Sequence, residues 1–118
     1  MRSMLVIDRS DIIAKLFAGI FEKRGWEVDT CGHRDPALER LAGNKPYDAV
    51  LLSYRVPGTN GVELVGLIRA FEHRRMTAVI MVTGSETAEK ALSSGADEVL
   101  LMPVNPNALV FAVGKHVP

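Results

Sequence analysis

Apolar and polar positions follow one another along the chain in a regular order that predicts five strands, each followed by a helix. The strands are short runs of apolar or alternating residues at 4–7, 26–31, 49–52, 78–82 and 98–101. Between them, apolar residues recur with the 3.6-residue period of a helix that buries one face. Parallel strands need such crossover helices, so the pattern predicts an α/β fold in which helices cover both faces of a five-stranded parallel sheet.

Each helical segment has a predicted inner face or a predicted start. The inner residues are Ile12, Ile13, Leu16, Phe17, Ile20 and Phe21 in the first helix, Ala37, Leu38 and Leu41 in the second, Leu64, Val65, Leu67, Ile68 and Phe71 in the third, and Leu109, Val110 and Val113 in the last. The candidate N-terminal caps are Ser10 or Asp11, Asp35 before Pro36, Ser85 or Thr87, and Asn105 before Pro106. We expect Gly25 to end the first helix and Gly114 to end the last.

The composition fits one packed domain that spans residues 1–118. Hydrophobic residues make up 47% of the chain, and 14 basic residues balance 14 acidic ones, so a nucleic-acid partner, which would require a basic surplus, is not expected. No apolar run is long enough to cross a membrane, and we expect no signal peptide. Cys31 is the single cysteine, which favours a reduced, cytoplasmic setting. The chain is either a whole small protein or the first domain of a longer one.

The chemistry is expected where the predicted strands end. Asp8 and Arg9 follow the first strand, Ser53 follows the third, Thr83 closes the fourth, and Met102 follows the last. In an open α/β sheet, the carboxyl ends of the strands converge on one crevice where ligands bind. These residues are therefore predicted to lie together.

Several motifs occur in one order along the chain. They are LVID at 5–8, YDAVLLSYRVPGTNG at 47–61, ELVGLIR at 63–69, AVIMVTG at 78–84 and GADEVLLMP at 95–103. In these motifs and their spacing, the chain resembles the receiver domain of two-component response regulators over nearly its whole length. The resemblance implies a doubly wound, three-layer (βα)5 fold of the flavodoxin and CheY-like type, with strand order 2-1-3-4-5.

The resemblance also implies which residues stand at the positions of the receiver phosphorylation site. In the family, an acidic pair and an acceptor aspartate hold Mg²⁺, a lysine neutralises the phosphoryl group, and a threonine or serine senses it. The corresponding residues are Asp8 and Arg9 for the pair, Ser53 for the acceptor, Met102 for the lysine and Thr83 for the sensor. Three of these positions have lost the family residue. Aspartyl phosphorylation and catalysis are therefore not expected, and Mg²⁺ binding is expected to be weak or absent, with Asp8 at most a residual ligand.

Further positions correspond to loop and switch elements of the family. They are Arg55, Pro57, Gly61, Val99 and Pro103. Val99 replaces the usual switching aromatic residue, and the resemblance implies a cis peptide bond before Pro103. The segment from Thr83 to Gly95 is shorter than the family spacing, so we expect a shortened fourth helix.

For single side chains, structural roles are favoured. Asp8 is predicted to pair with Arg9 or Arg55, although two guanidinium groups together would also suit an anion site. The other structural roles are pocket filling for Ser53, apolar packing for Met102, local bonding for Thr83, burial for Cys31 and solvation for the turn at 73–75.

These observations favour a phosphorylation-independent protein–protein interaction module of a signalling protein. Its protein partner, or a second copy in a homodimer, is expected on the fourth helix, last strand and last helix. The alternative is a working response regulator that senses phosphate or a ligand with unusual site residues. A small nucleotide- or flavin-binding enzyme ranks last, because the turn at 8–11 lacks the glycines of a phosphate-binding loop.

Overall fold

The computed structural model describes residues 1–84 and 88–118. The strands are β1 (Ser3–Ile7), β2 (Glu27–Cys31), β3 (Ala49–Ser53), β4 (Arg55–Val56), β5 (Thr59–Asn60), β6 (Ala78–Thr83) and β7 (Glu98–Leu101). The helices are α1 (Asp11–Glu22), α2 (Arg34–Ala42), α3 (Gly61–Ala70), α4 (Ala88–Ser94) and α5 (Pro106–His116), with a short 3₁₀ turn at Glu72–Arg74. The five predicted strands and the helices between them are confirmed.

Five of the strands form one parallel sheet in the order β2-β1-β3-β6-β7. This is the predicted order 2-1-3-4-5 once the separate β4–β5 hairpin is left out. In the register of the sheet, Ile7 pairs with Leu52 and Ser53 pairs with Val82. The residues that follow β1, β3 and β6 therefore stand level with one another at the same edge.

Two apolar layers pack on opposite faces of the sheet, as a three-layer fold requires. One layer holds residues of α2, α3 and α4, and the other holds residues of α1 and α5. The central strands β1, β3 and β6 are buried along almost their whole length. Such strands read as continuous apolar runs because helices cover both of their faces.

The predicted inner face of α1 is partly wrong. Ile12 and Leu16 are 74% and 58% exposed, whereas the residues that the helix buries are Ala14, Phe17, Ala18 and Phe21. The buried set follows the i, i+3, i+4, i+7 spacing of one helix face. Two of these buried residues are alanines, which are only weakly hydrophobic. The sequence pattern therefore favoured the larger Ile12 and Leu16 as inner residues.

The helix termini confirm some of the predicted caps and correct others. Ser10 accepts a hydrogen bond from Ile13 N, and Asn105 accepts one from Ala108 N. The cap of α2 is His33 rather than Asp35, because the imidazole accepts from the backbone N of Asp35 itself. The predicted cap at Ser85 or Thr87 lies outside the described residues.

The last helix does not end at Gly114 as predicted. It continues to His116. The two extra residues are held by the neighbouring strand, since Glu98 of β7 lies 3.0 Å from Lys115 Nζ and 2.9 Å from His116 Nε2. Burial alone would raise the pKa of Glu98, but the hydrogen bonds from these two side chains outweigh it, and the pKa lies below its usual value.

The run 73–75 is only partly the solvated turn that its sequence predicts, because His73 and Arg75 are exposed but Arg74 is not. Arg74 is only 2% exposed. Its guanidinium donates to the backbone oxygens of Leu41 and Gly43, at 3.0 Å each, and lies over the ring of Tyr47. These contacts replace the water that a guanidinium would otherwise bind, so the arginine is part of the interior.

Charged groups cluster beside the edge strand β2. Lys45 contacts the carboxylates of Glu27 and Asp29, and Asp29 also accepts a hydrogen bond from the Tyr47 hydroxyl at 2.6 Å. Cys31, at the end of β2, is half-buried, and burial raises the pKa of its thiol to about 11.

Among the described helices, none combines the length and hydropathy needed to cross a bilayer.

Candidate functional site

The residues at the strand ends line one cavity, as predicted. The cavity has a volume of about 360 Å³. The five positions that correspond to the receiver phosphorylation site all contribute to its wall: Asp8, Arg9, Ser53, Thr83 and Met102. The sheet register brings them together from β1, β3, β6 and the segment after β7.

Ser53 is the last residue of β3 and is half-buried at the cavity wall. Its hydroxyl donates to the backbone oxygen of Arg55 at 3.2 Å. The next turn returns close to this point, because a Cβ on Gly61 would lie 2.8 Å from Ser53 O. Only glycine fits at position 61 without moving the backbone around the serine.

Asp8 follows β1 and is 8% exposed. Its carboxylate accepts a hydrogen bond from Ser10 N at 2.9 Å. Burial raises the pKa of Asp8 above its ordinary value, and the backbone hydrogen bond from Ser10, the nearby Ser53 side chain and the charge of Arg9 offset part of that rise. Within the described chain, no ion pair joins Asp8 to Arg9 or Arg55. The predicted pairing is therefore wrong: a backbone amide holds this carboxylate.

Replacing Asp8 with asparagine is expected to stabilise the fold at neutral pH, by about 0.5–2 kcal/mol, the range of favourable single substitutions. The folded-state pKa of Asp8 is raised, so its ionised form costs stability above that pKa, and the amide removes the cost. The gain is expected to fade as the pH falls towards the ordinary pKa of 3.8. Urea unfolding across this pH range measures it.

A matched control for this substitution is Asp11→Asn on the first turn of α1. Asp11 is exposed and pairs with Lys15 one turn later. Its neutralisation is expected to lower stability slightly, because a helix N-terminus favours negative charge. Any loss of stability for Asp8→Asn at neutral pH would contradict the prediction.

Two guanidinium groups stand at the rim of the cavity. Arg9 and Arg55 are both exposed, and in the ranges 1–84 and 88–118 neither has an ion-pair partner. Arg40 and Arg69, by contrast, pair with Asp29 and Asp97. Arg9 and Arg55 therefore present their charge to solvent and to the cavity.

Of the residues at the lysine, sensor and switch positions, Met102 is the one whose surroundings differ from the prediction. Met102 is 43% exposed, so it does not pack as the predicted apolar filler; it follows the edge strand β7 and forms part of the cavity rim. The peptide bond between Met102 and Pro103 is cis, as predicted. Thr83 is buried, and its backbone oxygen accepts from Met102 N at 2.9 Å. Val99 is half-buried and packs against the core on the side of α4.

Sequence reasoning missed Tyr54. A second cavity of about 290 Å³ adjoins the first, and Arg9, Tyr54 and Arg55 line both. Pro57 lines only the second cavity, in the β4–β5 turn where Gly58 takes a φ of +89°. The sequence signal for Tyr54 was its place directly after the strand end that carries Ser53.

The side chains of the cavity do not fit Mg²⁺. This ion requires near-octahedral oxygen coordination, usually from carboxylates and water. Asp8 is the one carboxylate among the described residues that line the cavity, and Arg9 adds a positive charge beside it. In the described parts of the chain, no three His, Cys, Asp or Glu side chains gather in an arrangement that would hold a metal.

Known proteins resemble this chain over almost its full length. It is 29% identical over 119 residues to the signal transduction histidine-protein kinase BarA of Shigella flexneri, which covers 98% of the chain but 13% of that protein. It is 30% identical over 114 residues to the transcriptional regulatory protein ResD of Bacillus subtilis, covering 93% of the chain and 45% of ResD. The chain thus spans less than half the length of these relatives.

The fold is similar to that of the chemotaxis response regulator CheY4 of Vibrio cholerae. The TM-score is 0.91 at 24% identity, with 99% of each chain covered. Residues 4–114 match the family described as the response regulator receiver domain. This chain belongs to the response regulator receiver domain family.

Proposed function

We propose that this receiver domain of two-component signalling works without aspartyl phosphorylation, as a protein–protein interaction module. The observation that carries the proposal is Ser53 at the carboxyl end of β3, where the family has its acceptor aspartate. A serine hydroxyl is a poor nucleophile at neutral pH unless a base activates it. Among the described residues that line the cavity there is no histidine to serve as that base.

The side chains around Ser53 also support the proposal that the domain works without aspartyl phosphorylation. Arg9 stands where the second acid of the metal-binding pair would be, and a guanidinium repels a divalent cation. Met102 stands at the lysine position and supplies no charge to balance a phosphoryl group. Both side chains line the cavity with Ser53. The three departures act together, so no one of them alone would restore the family chemistry.

The proposed contact surface consists of α4, β7 and α5. Leu101 of β7 and Phe111 of α5 are 61% and 68% exposed, and Leu92 of α4 is also exposed. Large apolar side chains that face water on neighbouring elements favour contact with another protein. We propose a signalling protein, or a second copy of this chain, as the partner on this surface.

The remaining functional assignments follow from this proposal. The domain is not an enzyme, needs no cofactor, and works in the cytoplasm without direct contact to nucleic acid or membrane. We propose that the activity of any longer protein that contains it belongs to other segments; the chain covers 13% of BarA and 45% of ResD.

The test is a set of amide NMR spectra recorded with and without Mg²⁺ and beryllofluoride, a mimic of the phosphoryl group. We expect no saturable shifts at Asp8, Ser53 or Thr83, because the acceptor carboxylate and the second acid of the metal-binding pair are both replaced. Saturable shifts there that spread to β7 and α5 would contradict the proposal. They would support the alternative, a response regulator that senses phosphate with unusual residues.

A further inference from the structure

The cavity at the strand ends has the dimensions of a site for a small molecule. Its volume of about 360 Å³ lies near the lower end of the range for ligand pockets, which is roughly 300–1,000 Å³. A molecule of liquid water occupies ~30 Å³, so the cavity has room for about a dozen waters. A ligand that fills it must therefore be small.

The charges at the cavity favour an anion that carries a single charge. Arg9 and Arg55 contribute two positive charges and Asp8 one negative charge, which leaves a net charge of +1 at the site. The two guanidiniums lack ion-pair partners in the described chain, whereas Asp8 already accepts from Ser10 N. Guanidinium groups bind carboxylates through two parallel hydrogen bonds.

The rest of the wall would contact an apolar group. Ile13 and Phe17 of α1, Val82 of β6 and the exposed side chain of Met102 line the same space. Methionine adapts its shape to a ligand and makes favourable contacts with aromatic rings. Tyr54, which lies between the two cavities, adds an aromatic surface beside the arginines.

We infer that this cavity binds a small organic monocarboxylate with an apolar body, whose carboxylate lies between Arg9 and Arg55 and whose body lies against Phe17, Val82 and Met102. The inference rests on the proposed function in one respect, namely that no metal and no phosphoryl group occupies the site. It adds a small-molecule ligand to an interaction module that does not respond to phosphorylation.

Two other anions fit the site less well. A phosphate dianion would bring a second negative charge close to the buried Asp8 carboxylate. A nucleotide would need backbone amides free to receive its phosphates, but in the turn after β1 the Ser10 amide is already bonded to Asp8. The apolar wall also has no role in binding inorganic phosphate.

The probe for this inference is benzoate, with benzamide as its neutral analogue of the same shape. Amide NMR spectra of the 118-residue chain are titrated with each compound, and with inorganic phosphate, to about 10 mM, which detects dissociation constants in the millimolar range. We expect saturable shifts with benzoate at residues 9, 53–55 and 83–84. Benzamide and phosphate are expected to bind at least about tenfold more weakly, because only benzoate offers both a carboxylate and a ring.

Variants then locate the charge that binds the probe. The double substitution Arg9→Gln/Arg55→Gln is expected to weaken benzoate binding about tenfold, a loss typical of charge-assisted contacts. Arg75→Gln, which neutralises an exposed arginine away from the cavity, is the matched control and is expected to leave binding unchanged. Equal losses in the two variants, equal binding of benzamide, tighter binding of phosphate, or no saturable benzoate shift would each overturn the inference.

The inference and the proposed function fail in different ways. A response to Mg²⁺ and beryllofluoride in the absence of benzoate would refute the proposed function, whatever benzoate does. No response to either probe would leave the proposed function intact and refute the ligand site. A response to benzoate alone is the result that the inference requires, and it leaves the proposed function intact.

Discussion

Replacing Arg74 with alanine is expected to lower the free energy of unfolding by about 3–5 kcal/mol, the range found when large buried side chains or one partner of a buried charged contact are removed. The guanidinium is almost fully buried and donates to Leu41 O and Gly43 O. The alanine would leave both carbonyl oxygens without these donors and would open a cavity next to the Tyr47 ring. Urea unfolding followed by circular dichroism measures the change.

The matched control is Arg75→Ala, the same substitution at the next residue. Arg75 is exposed, so its loss is expected to change stability by less than about 0.5 kcal/mol. Arg74→Lys gives an intermediate test, because an ammonium group cannot form the same fork of hydrogen bonds. Similar effects at positions 74 and 75 would show that Arg74 is solvated in solution, contrary to the structure.

The second large effect is a gain of Mg²⁺ binding and of phosphorylation at the cavity. The triple variant Arg9→Asp/Ser53→Asp/Met102→Lys is expected to bind Mg²⁺ and to accept a phosphoryl group from a small phosphodonor, neither of which the natural chain is expected to do. It places two new carboxylates beside Asp8 and a lysine at the rim of the same cavity. Three clustered carboxylates provide the oxygen ligands that Mg²⁺ requires. Intact-protein mass spectrometry after incubation with the donor detects the phosphoryl group.

Stability gives an independent measure of the restored site. Without Mg²⁺, repulsion between the carboxylates is expected to lower the stability of the triple variant by about 1–3 kcal/mol, and saturating Mg²⁺ is expected to reverse most of that loss. Ser53→Asp alone is the control, since it keeps Arg9 and Met102 beside the new acid. Phosphorylation of this single variant to the same extent would mean that Arg9 and Met102 do not block the chemistry.

The sequence predicted the sheet and the location of the site well, because both depend on local patterns. A strand that is buried on both faces is a short apolar run, and the residue that follows it stands at the carboxyl edge of the sheet. The positions of Asp8, Ser53 and Thr83 therefore followed from the ends of β1, β3 and β6. The turn around Gly61 was predictable from the same kind of local sequence pattern.

Features that depend on distant partners were not predictable in this way. Arg74 stands in a polar run, and its acceptors lie 33 and 31 residues earlier in the chain, so nothing nearby marks it as buried. Ile12 and Leu16 belong to a helix with apolar residues around much of its circumference, so periodicity alone could not select the buried face. The hydrogen bond from the Ser10 backbone amide to Asp8 was not predictable either, because only charged side chains were considered as partners for this carboxylate.

The two edge strands share a feature that bears on the solubility of the protein. Glu27 of β2 contacts Lys45, and Glu98 of β7 contacts Lys115, so charged pairs stand beside both open edges of the sheet. Joining these edges to strands of another molecule would strip water from those charges. Because the formal net charge is zero, long-range repulsion gives little protection against aggregation. The paired charges at the edges supply that protection locally, and we expect assemblies of this domain to form through side chains rather than by extending the sheet from one molecule into the next.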